Sequence, residues 1–472
     1  MKVRTRYAPS PTGYMHIGNL RTAIFEYLLA KKYDGSFILR IEDTDQQREV
    51  EGAIDFIYKT LELCGFVIDE GPNNDKGYGP YIQSERKAIY KKYAEELVEK
   101  GKAYYCFCSE EELNAMRERA NQRHKPFLYD GRCSRLSKEK IAENLANGVP
   151  YVIRQKMPKT GVTVVDDIIY GKIKIDNSIL DDQILLKSDG FPTYNFANVI
   201  DDHLMEITHV IRGKEYLDQT AKYNLLYEAF GWEKPIYAHV AMVLGEDGNK
   251  LSKRNGDASF MDLYNEGYLP AAIVNYLSLL GWSPTTNQEV FTMDELIKNF
   301  DETRISKSSS QYDVKKLKWF NAQYIKKMSD EEYLNWIKKF FTQDVSDKSE
   351  DWIDKLLLIY KDHLNYGNEI NELTQNFFID SISLDQEAEE FLNSDPVTKD
   401  VTDGFASEVE KINDWNTDNI NVAINNVKTT LGVKGKLLYM PIRIKASGFM
   451  HGPELADTIY LIGKDTVLER LK

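Results

Sequence analysis

The feature that most limits what this chain can fold into is the alternation of strand and helix signals over its first 110 residues. Lys2–Ala8 is a short β-type run that Pro9-Ser10-Pro11-Thr12-Gly13 brings to an end. A helical pattern follows, with Leu20, Ala23, Ile24, Tyr27 and Leu28 at three- and four-residue steps. Ser36–Ile41 reads as a second strand, and helices are predicted over Gly52–Cys64 and Glu85–Lys100. Strand, helix, strand, helix is the signature of a parallel α/β sheet. Residues of roughly 105–190 are less regular, with β-rich pieces at Tyr151–Lys156 and Ile168–Ile175, and read as an insertion. A second α/β stretch runs through Ile184–Phe230, and a Gly-rich loop spans Gly245–Gly256. Beyond about residue 320, Gly is scarce and helical periodicity takes over. The expected architecture is an α/β front half followed by an all-α back half.

At 472 residues the chain has room for about three domains. Its 28% charged and 42% apolar composition is that of a folded chain rather than a disordered one. No apolar run approaches the ~20 residues that span a bilayer, and Met1–Arg6 has no signal-peptide core. Four cysteines in this length cannot form a disulfide scaffold, so a reducing cytoplasm is the expected location. A net charge of −14 argues against non-specific coating of nucleic acid but leaves room for a local basic face.

Two distant segments look built for a polyphosphate. Pro11-Thr12-Gly13-Tyr14-Met15-His16-Ile17-Gly18-Asn19 joins a strand to a helix, which aims backbone N–H groups and the positive helix end at an anion. His16 and Asn19 add side-chain donors, and Gly18 keeps a Cβ away from a nucleotide. Gly245-Glu246-Asp247-Gly248-Asn249-Lys250-Leu251-Ser252-Lys253-Arg254 carries three cations in five residues, a loop able to neutralise phosphate charge during transfer.

The pair resembles the two signatures of class I aminoacyl-tRNA synthetases, here His16-Ile17-Gly18-Asn19 and Lys250-Leu251-Ser252-Lys253-Arg254. The flanks narrow the resemblance to bacterial glutamyl-tRNA synthetases. They are Arg6-Tyr7-Ala8-Pro9-Ser10-Pro11-Thr12-Gly13, Arg40-Ile41-Glu42-Asp43-Thr44-Asp45, Phe191-Pro192-Thr193-Tyr194-Asn195-Phe196-Ala197-Asn198 and His451-Gly452-Pro453-Glu454-Leu455. Asn19 stands where the superfamily motif has His, and its amide still donates to phosphate oxygen. The resemblance implies a Rossmann-like parallel sheet in two pieces, 1–104 and 191–240, around an acceptor-binding insertion, 105–190. A stem-contact region over 241–320 and a helical anticodon-binding region over 321–472 would follow.

It also implies ATP-dependent ligation of L-glutamate to the 3′ end of tRNA-Glu through glutamyl-adenylate, with Mg2+, in a cytoplasmic monomer without membrane attachment. By resemblance His16, Asn19, Lys250 and Lys253 are catalytic, and His16, Gly18, Asn19, Glu215, Lys250 and Lys253 hold ATP. Arg6, Ala8, Ser10, Glu42, Tyr194, Asn198 and Arg212 line the glutamate pocket, with Glu42 receiving the amino group. Asp45 and Arg48 lie near the acceptor end. A fixed guanidinium prefers a carboxylate to an amide, which selects glutamate over glutamine. Asp43, Asp201, Asp202 and His203 could suggest a metal cluster; capping and hydrogen bonding are preferred.

Cys106-x-Cys108 with Cys133 has the look of a zinc knuckle. Zinc-bearing relatives continue to Cys-x-His, whereas this chain has Arg135, so Tyr129 is the candidate fourth ligand, as in a shorter tRNA-modifying relative. The alternative is three reduced thiols in a site that has lost its metal. Basic stripes at Arg304, Lys307, Lys315, Lys316, Lys318, Lys326, Lys327 and at Lys428, Lys434, Lys436, Arg443, Lys445 suit tRNA phosphates. The interleaved Trp319, Phe320 and Tyr324 are expected in the helix core. A helical C-terminal half sets the chain apart from glutaminyl enzymes, which carry β-barrel anticodon modules, and from the shorter modifying relative. tRNA-Gln is the further candidate acceptor, and an idle tRNA-binding paralogue is disfavoured by the intact His16, Lys253, Arg6 and Arg212.

Overall fold

A computed structural model describes residues 2–13, 15–45, 48, 50–124, 126–249, 251 and 259–472. Lys250 and Lys253, two of the predicted phosphate ligands, lie outside the described residues. The chain forms two compact units, one of residues 1–262 with 274–313 and one of 263–273 with 314–472.

In the first unit, β1 (Arg4–Tyr7) lies parallel to β2 (Ser36–Leu39), and α1 (Ile17–Lys32) is the crossover between them. All four β1 residues are buried, so the strand reads as a continuous run rather than an alternating one, as expected for a sheet covered on both faces. The pairing continues past the strands, Arg40 N donating to Tyr7 O (3.0 Å) and Glu42 N to Pro9 O (3.0 Å). This places Glu42 beside the Pro9-Ser10 turn. Helices α2 (Ala53–Leu63) and α3 (Lys87–Glu99) fall within the spans predicted for them.

β3 (Ala103–Cys106), β4 (Val152–Gln155) and β7 (Ile184–Leu186) form a three-stranded antiparallel sheet, with α4 (Glu110–Gln122) and α5 (Lys138–Ala146) between its first two strands. β5 (Val162–Asp167) and β6 (Gly171–Asp176) make a hairpin, so the strand expected over Ile168–Ile175 is corrected. Residues 168–170 are its turn, because the Asp167 carboxylate accepts from Ile169 N (2.9 Å) and Tyr170 N (2.8 Å) and bends the chain there. The preceding strand, Val162–Asp167, was hidden by its exposed Val162 and Val164.

β8 (His209–Gly213) and β9 (Ile236–Val240) are parallel, with α7 (Thr220–Phe230) crossing between them, and β9 also touches β5 at Asp167. The strand order is β6-β5-β9-β8. Thr208 N donates to Arg4 O (3.0 Å), joining the start of β8 to β1. Phe196, Ile200, Tyr223, Leu226 and Phe230 from α6 (Tyr194–Leu204) and α7 fill the core with Tyr90 and Leu97 of α3. β10 (Val243–Leu244) pairs parallel with β11 (Ser310–Gln311).

The second unit is helical throughout its described secondary structure from Val314 onward. Its core holds Ile325, Tyr333, Leu356, Val401, Phe405, Ile424, Leu438 and Ile459. Capping is orthodox: Ser329 and Glu332 form a capping box at the start of Asp330–Ile337. Phe320 is buried as expected, but Trp319 is 39% exposed with Lys316 Nζ 4.2 Å from its ring, which corrects its assignment to the core. On this helix, Val314–Lys327, the buried face runs through Leu317, Phe320, Asn321 and Ile325, and Trp319 falls off it.

Candidate active site

A cavity of about 460 Å³ opens beside the carboxyl ends of β1 and β8, where ligands of open α/β sheets bind. Its walls come from β1 and the turn after it (Arg6, Ala8, Ser10, Thr12), α1 (Asn19, Thr22, Glu26), the segment after β2 (Glu42, Asp45, Arg48), the start of α6 (Tyr194) and the β8–α7 region (Arg212, Glu215, Tyr216). A smaller cavity of about 70 Å³ adjoins it, lined by Ser10, Thr12, Gly13, His16 and Asn19. Asn19 therefore faces both.

One wall is a buried ionic network. Arg6 donates through Nε to Asp202 (3.0 Å) and through Nη1 to Glu26 (3.1 Å). Arg40, fully buried, donates to Asp202 (2.8 Å) and Glu42 (2.9 Å). Burial opposes the Arg6 charge, but Asp202 and Glu26 outweigh it and hold the guanidinium above its ordinary value. The carboxylates divide unequally. Asp202 is buried yet sits below the usual range because both Arg6 and Arg40 bind it. Glu26 is pushed well above that range by burial, which its single partner Arg6 only partly offsets. Glu26 Oε2 is buried with no hydrogen-bond partner. Glu42 is likewise raised by burial, with Arg40 pulling the other way.

The opposite wall is neutral around its cation. Arg212 donates from Nε to His239 Nε2 (3.1 Å) and from Nη2 to Thr220 Oγ1 (2.8 Å). Its guanidinium carbon lies 4.6 Å from the Tyr223 ring centre and 5.5 Å from that of Tyr216. Tyr194 leans on Tyr216, with ring centres 5.3 Å apart. Among the described residues no carboxylate is paired with Arg212.

Beside the smaller cavity, α1 starts at His16 with no side-chain cap on its first turn, unlike α4, which has a capping box of Ser109 and Glu112. An uncapped first turn leaves N–H groups for an anion. A Cβ on Gly18 would meet nothing within 4 Å, so the surface over this turn is open. His16 forms an isolated antiparallel bridge with Ser259, the first described residue after the Lys250–Arg254 motif. Gly213 makes room for the Glu215 carboxylate: a Cβ there would come within 2.2 Å of it.

Sequence comparison agrees with this geometry. Residues 2–319 match the model of class I tRNA synthetases (E and Q), catalytic domain, and residues 322–472 match that of an anticodon binding domain. Glutamate–tRNA ligases of Clostridium acetobutylicum and Clostridium novyi are 48% and 50% identical to the chain, covering all of it and 98% and 97% of their own lengths. A glutamate tRNA ligase from Elizabethkingia meningosepticum, solved in complex with its amino acid, superposes with a TM-score of 0.89 at 37% identity, covering all of this chain and 98% of its own. The glutamate-tRNA synthetase of Elizabethkingia anophelis gives 0.90 at 37%, covering all of this chain and 99% of its own. The chain belongs to the class I glutamyl and glutaminyl tRNA synthetase family.

Of the residues that resemblance to this synthetase family singles out, Arg6, Ala8, Ser10, Asn19, Glu42, Asp45, Arg48, Tyr194, Arg212 and Glu215 line the 460 Å³ cavity, and His16 lines its neighbour. Asn198 is buried on α6, one turn beyond Tyr194, and does not line either cavity. Asp43, Asp201, Asp202 and His203 serve as structure. Asp43 accepts from Ser84 N (2.7 Å), Asp201 from Arg86, Gln83 and Tyr90, and His203 stacks on Trp232. Glu26, Tyr216 and His239 belong to the site and were missed. Glu26 falls on the apolar-spaced helix and His239 inside an apolar strand, so neither carries a local signal of function.

The cysteine cluster lies where the end of β3 meets the turn before α5. The Sγ atoms of Cys106, Cys108 and Cys133 lie within 4.8 Å of one another, and Cys108 is 3.6 Å from Cys133. The Tyr129 hydroxyl is 3.3 Å from both Cys106 and Cys108. Thiolates ~2.3 Å from a tetrahedral zinc stand about 3.8 Å apart, so three sulfurs and one oxygen fit the ion. Hydrogen bonding from Cys133 lowers the Cys106 thiol below its ordinary range. Arg135 turns away to Asp130 O (3.4 Å).

Proposed function

We propose that the chain joins L-glutamate to the 3′ end of tRNA-Glu at the expense of ATP, releasing AMP and pyrophosphate. The observation that carries the reading is a pair of adjoining cavities with an uncapped helix start at His16 and Asn19 at one end and two guanidinium groups, Arg6 and Arg212, at the other.

The substrate α-carboxylate is the first nucleophile. Its oxygen attacks the α-phosphorus of ATP, the bond to the bridging oxygen breaks, and pyrophosphate leaves with that electron pair. A hydroxyl of the terminal ribose then attacks the acyl carbon of the adenylate and AMP departs. No enzyme group forms a covalent bond, so catalysis rests on positioning and on charge stabilisation. His16, Asn19 and the α1 N-terminus receive phosphate oxygens, Gly18 lets the nucleotide approach, and Glu215 meets its ribose or base. Lys250 and Lys253 supply cations to the transition state. Arg6 and Arg212 grip the substrate carboxylates, Glu42 takes the ammonium group, and Ala8, Ser10 and Tyr194 shape the pocket, with Asn198 backing it. Asp45 and Arg48, exposed at the rim, receive the acceptor end. The nucleotide enters as its Mg2+ complex, in which the ion offsets phosphate charge.

We assign residues 105–190 to the acceptor end, 241–320 to the stem and the helical unit to the anticodon, where the Lys315–Lys327 and Lys428–Lys445 stripes meet phosphates. Cys106, Cys108, Cys133 and Tyr129 would hold a structural zinc ion that ties β3 to the turn before α5. The protein works as a cytoplasmic monomer; no helix among the described residues is long and apolar enough to cross a membrane.

The test is aminoacylation of purified tRNA-Glu and tRNA-Gln, each with glutamate and with glutamine. Glutamate charging of tRNA-Glu that depends on ATP is expected, and its absence would sink the reading. Glutamate on tRNA-Gln would extend the substrate range. Zinc is read separately: one equivalent in chelator-washed protein, lost in Cys133→Ser, is expected, and none in the parent removes the site.

A further inference from the structure

His239 is fully buried and is held on both ring nitrogens. On β9 it is the register partner of Arg212 on β8, so the two side chains lie abreast on adjacent parallel strands. Its Nδ1 is 2.7 Å from Asp167 Oδ2, and its backbone N–H donates to the same oxygen (3.0 Å). Asp167 cannot turn away, because its other oxygen closes the β5–β6 turn.

The proton positions follow from chemistry. A guanidinium has donors and no acceptor, so Arg212 Nε–H fixes His239 Nε2 as the acceptor. The proton therefore sits on Nδ1 and is donated to Asp167, and the ring is neutral; burial, which holds the imidazole below its ordinary range, agrees. Asp167 thus acts on Arg212 only across a neutral ring. Thr220 fixes a second edge of the guanidinium. Nη1 of Arg212 has no protein acceptor among the described residues.

Resting on the reaction proposed above, we propose that His239, oriented by Asp167, is a positioning residue that sets the plane of Arg212 while leaving its charge unspent for the substrate's carboxylate. A carboxylate in place of the imidazole would make the same hydrogen bond and cancel the charge. The neutral ring is therefore a determinant of glutamate over glutamine, since an acidic side chain gains from a free guanidinium and an amide does not.

Three variants read this, in ATP–pyrophosphate exchange with tRNA-Glu present. His239→Ala should raise KM for glutamate about 10- to 30-fold, with kcat and KM for ATP within about threefold. His239→Gln, whose amide oxygen can accept from Arg212 Nε, should keep KM for glutamate within about fivefold of the parent. His239→Glu, close to Gln in shape but charged, should lower the glutamate-to-glutamine ratio of kcat/KM at least about tenfold. Equal kinetics for the Gln and Glu variants would overturn the proposal, as would an Ala variant with unchanged KM for glutamate, or one whose two KM values rise together. If the Ala variant does not fold, the Gln and Glu pair alone decides. A parent enzyme inactive with glutamate would instead overturn the proposed reaction.

Discussion

The two arginines of the cavity sit in opposite electrostatic company. Arg6 is bracketed by Glu26 and Asp202, within a buried set that also includes Arg40 and Glu42. Arg212 is surrounded by an imidazole, a hydroxyl and tyrosine faces. The first arrangement compensates its charge inside the protein and makes the arginine part of the scaffold. The second holds a cation in place while leaving it to be neutralised by what binds. The cavity thus divides two duties between two chemically identical side chains.

The contrast can be broken most forcefully at Arg6. Arg6→Gln leaves Glu26 without its partner and Asp202 with one of two, and breaking a buried pair in this way costs about 3–5 kcal/mol. Urea unfolding should show that loss, and a cost smaller than that of Arg212→Gln would undo the comparison. Arg212→Gln should fall mainly on function, lowering kcat/KM for glutamate about 10- to 100-fold, because no carboxylate is stranded. Glu26→Gln comes next. Burial raises the Glu26 carboxyl above its unfolded value, so the folded chain binds that proton more tightly and stability falls as pH rises above about 4.5. The variant should therefore gain about 2–4 °C in Tm at pH 8 and little at pH 4.5, measured by calorimetry; an equal change at both would refute the raised value. Smallest is Gly213→Ala, whose Cβ displaces the flexible Glu215 carboxylate. A few-fold rise in KM for ATP, with KM for glutamate unchanged, would show that the neighbouring Arg212 stays put.

Much of this was legible because local pattern and local chemistry coincide. The β1–α1–β2 unit is written in a strand run, a Pro-Gly break and helical spacing, and the turn that leads to His16 lies within it. Resemblance then supplied Arg6 and Arg212 as a pair. What stayed hidden depends on register between distant strands. Arg6 meets Asp202 across 196 positions, and Arg212 meets His239 only because β8 and β9 run parallel in one particular alignment. Trp319 misled for a simpler reason: an aromatic residue among lysines on an amphipathic helix can fall just outside the buried stripe and lie under a lysine ammonium group. The residues that orient the site were less visible than those that touch its contents, since orientation is a property of partners and not of residue type.

The helix Ile17–Lys32 contributes Asn19, Thr22 and Glu26 to the cavity, three residues on one face and seven positions from first to last. At 1.5 Å per residue that face is about 10.5 Å long. A single rigid rod thus sets the distance along this wall from Asn19 to the Arg6–Glu26 pair, and it acts as a ruler. Under the reaction proposed above, an acidic amino acid one methylene shorter or longer than glutamate would satisfy the same charges yet present its reacting oxygen at the wrong mark.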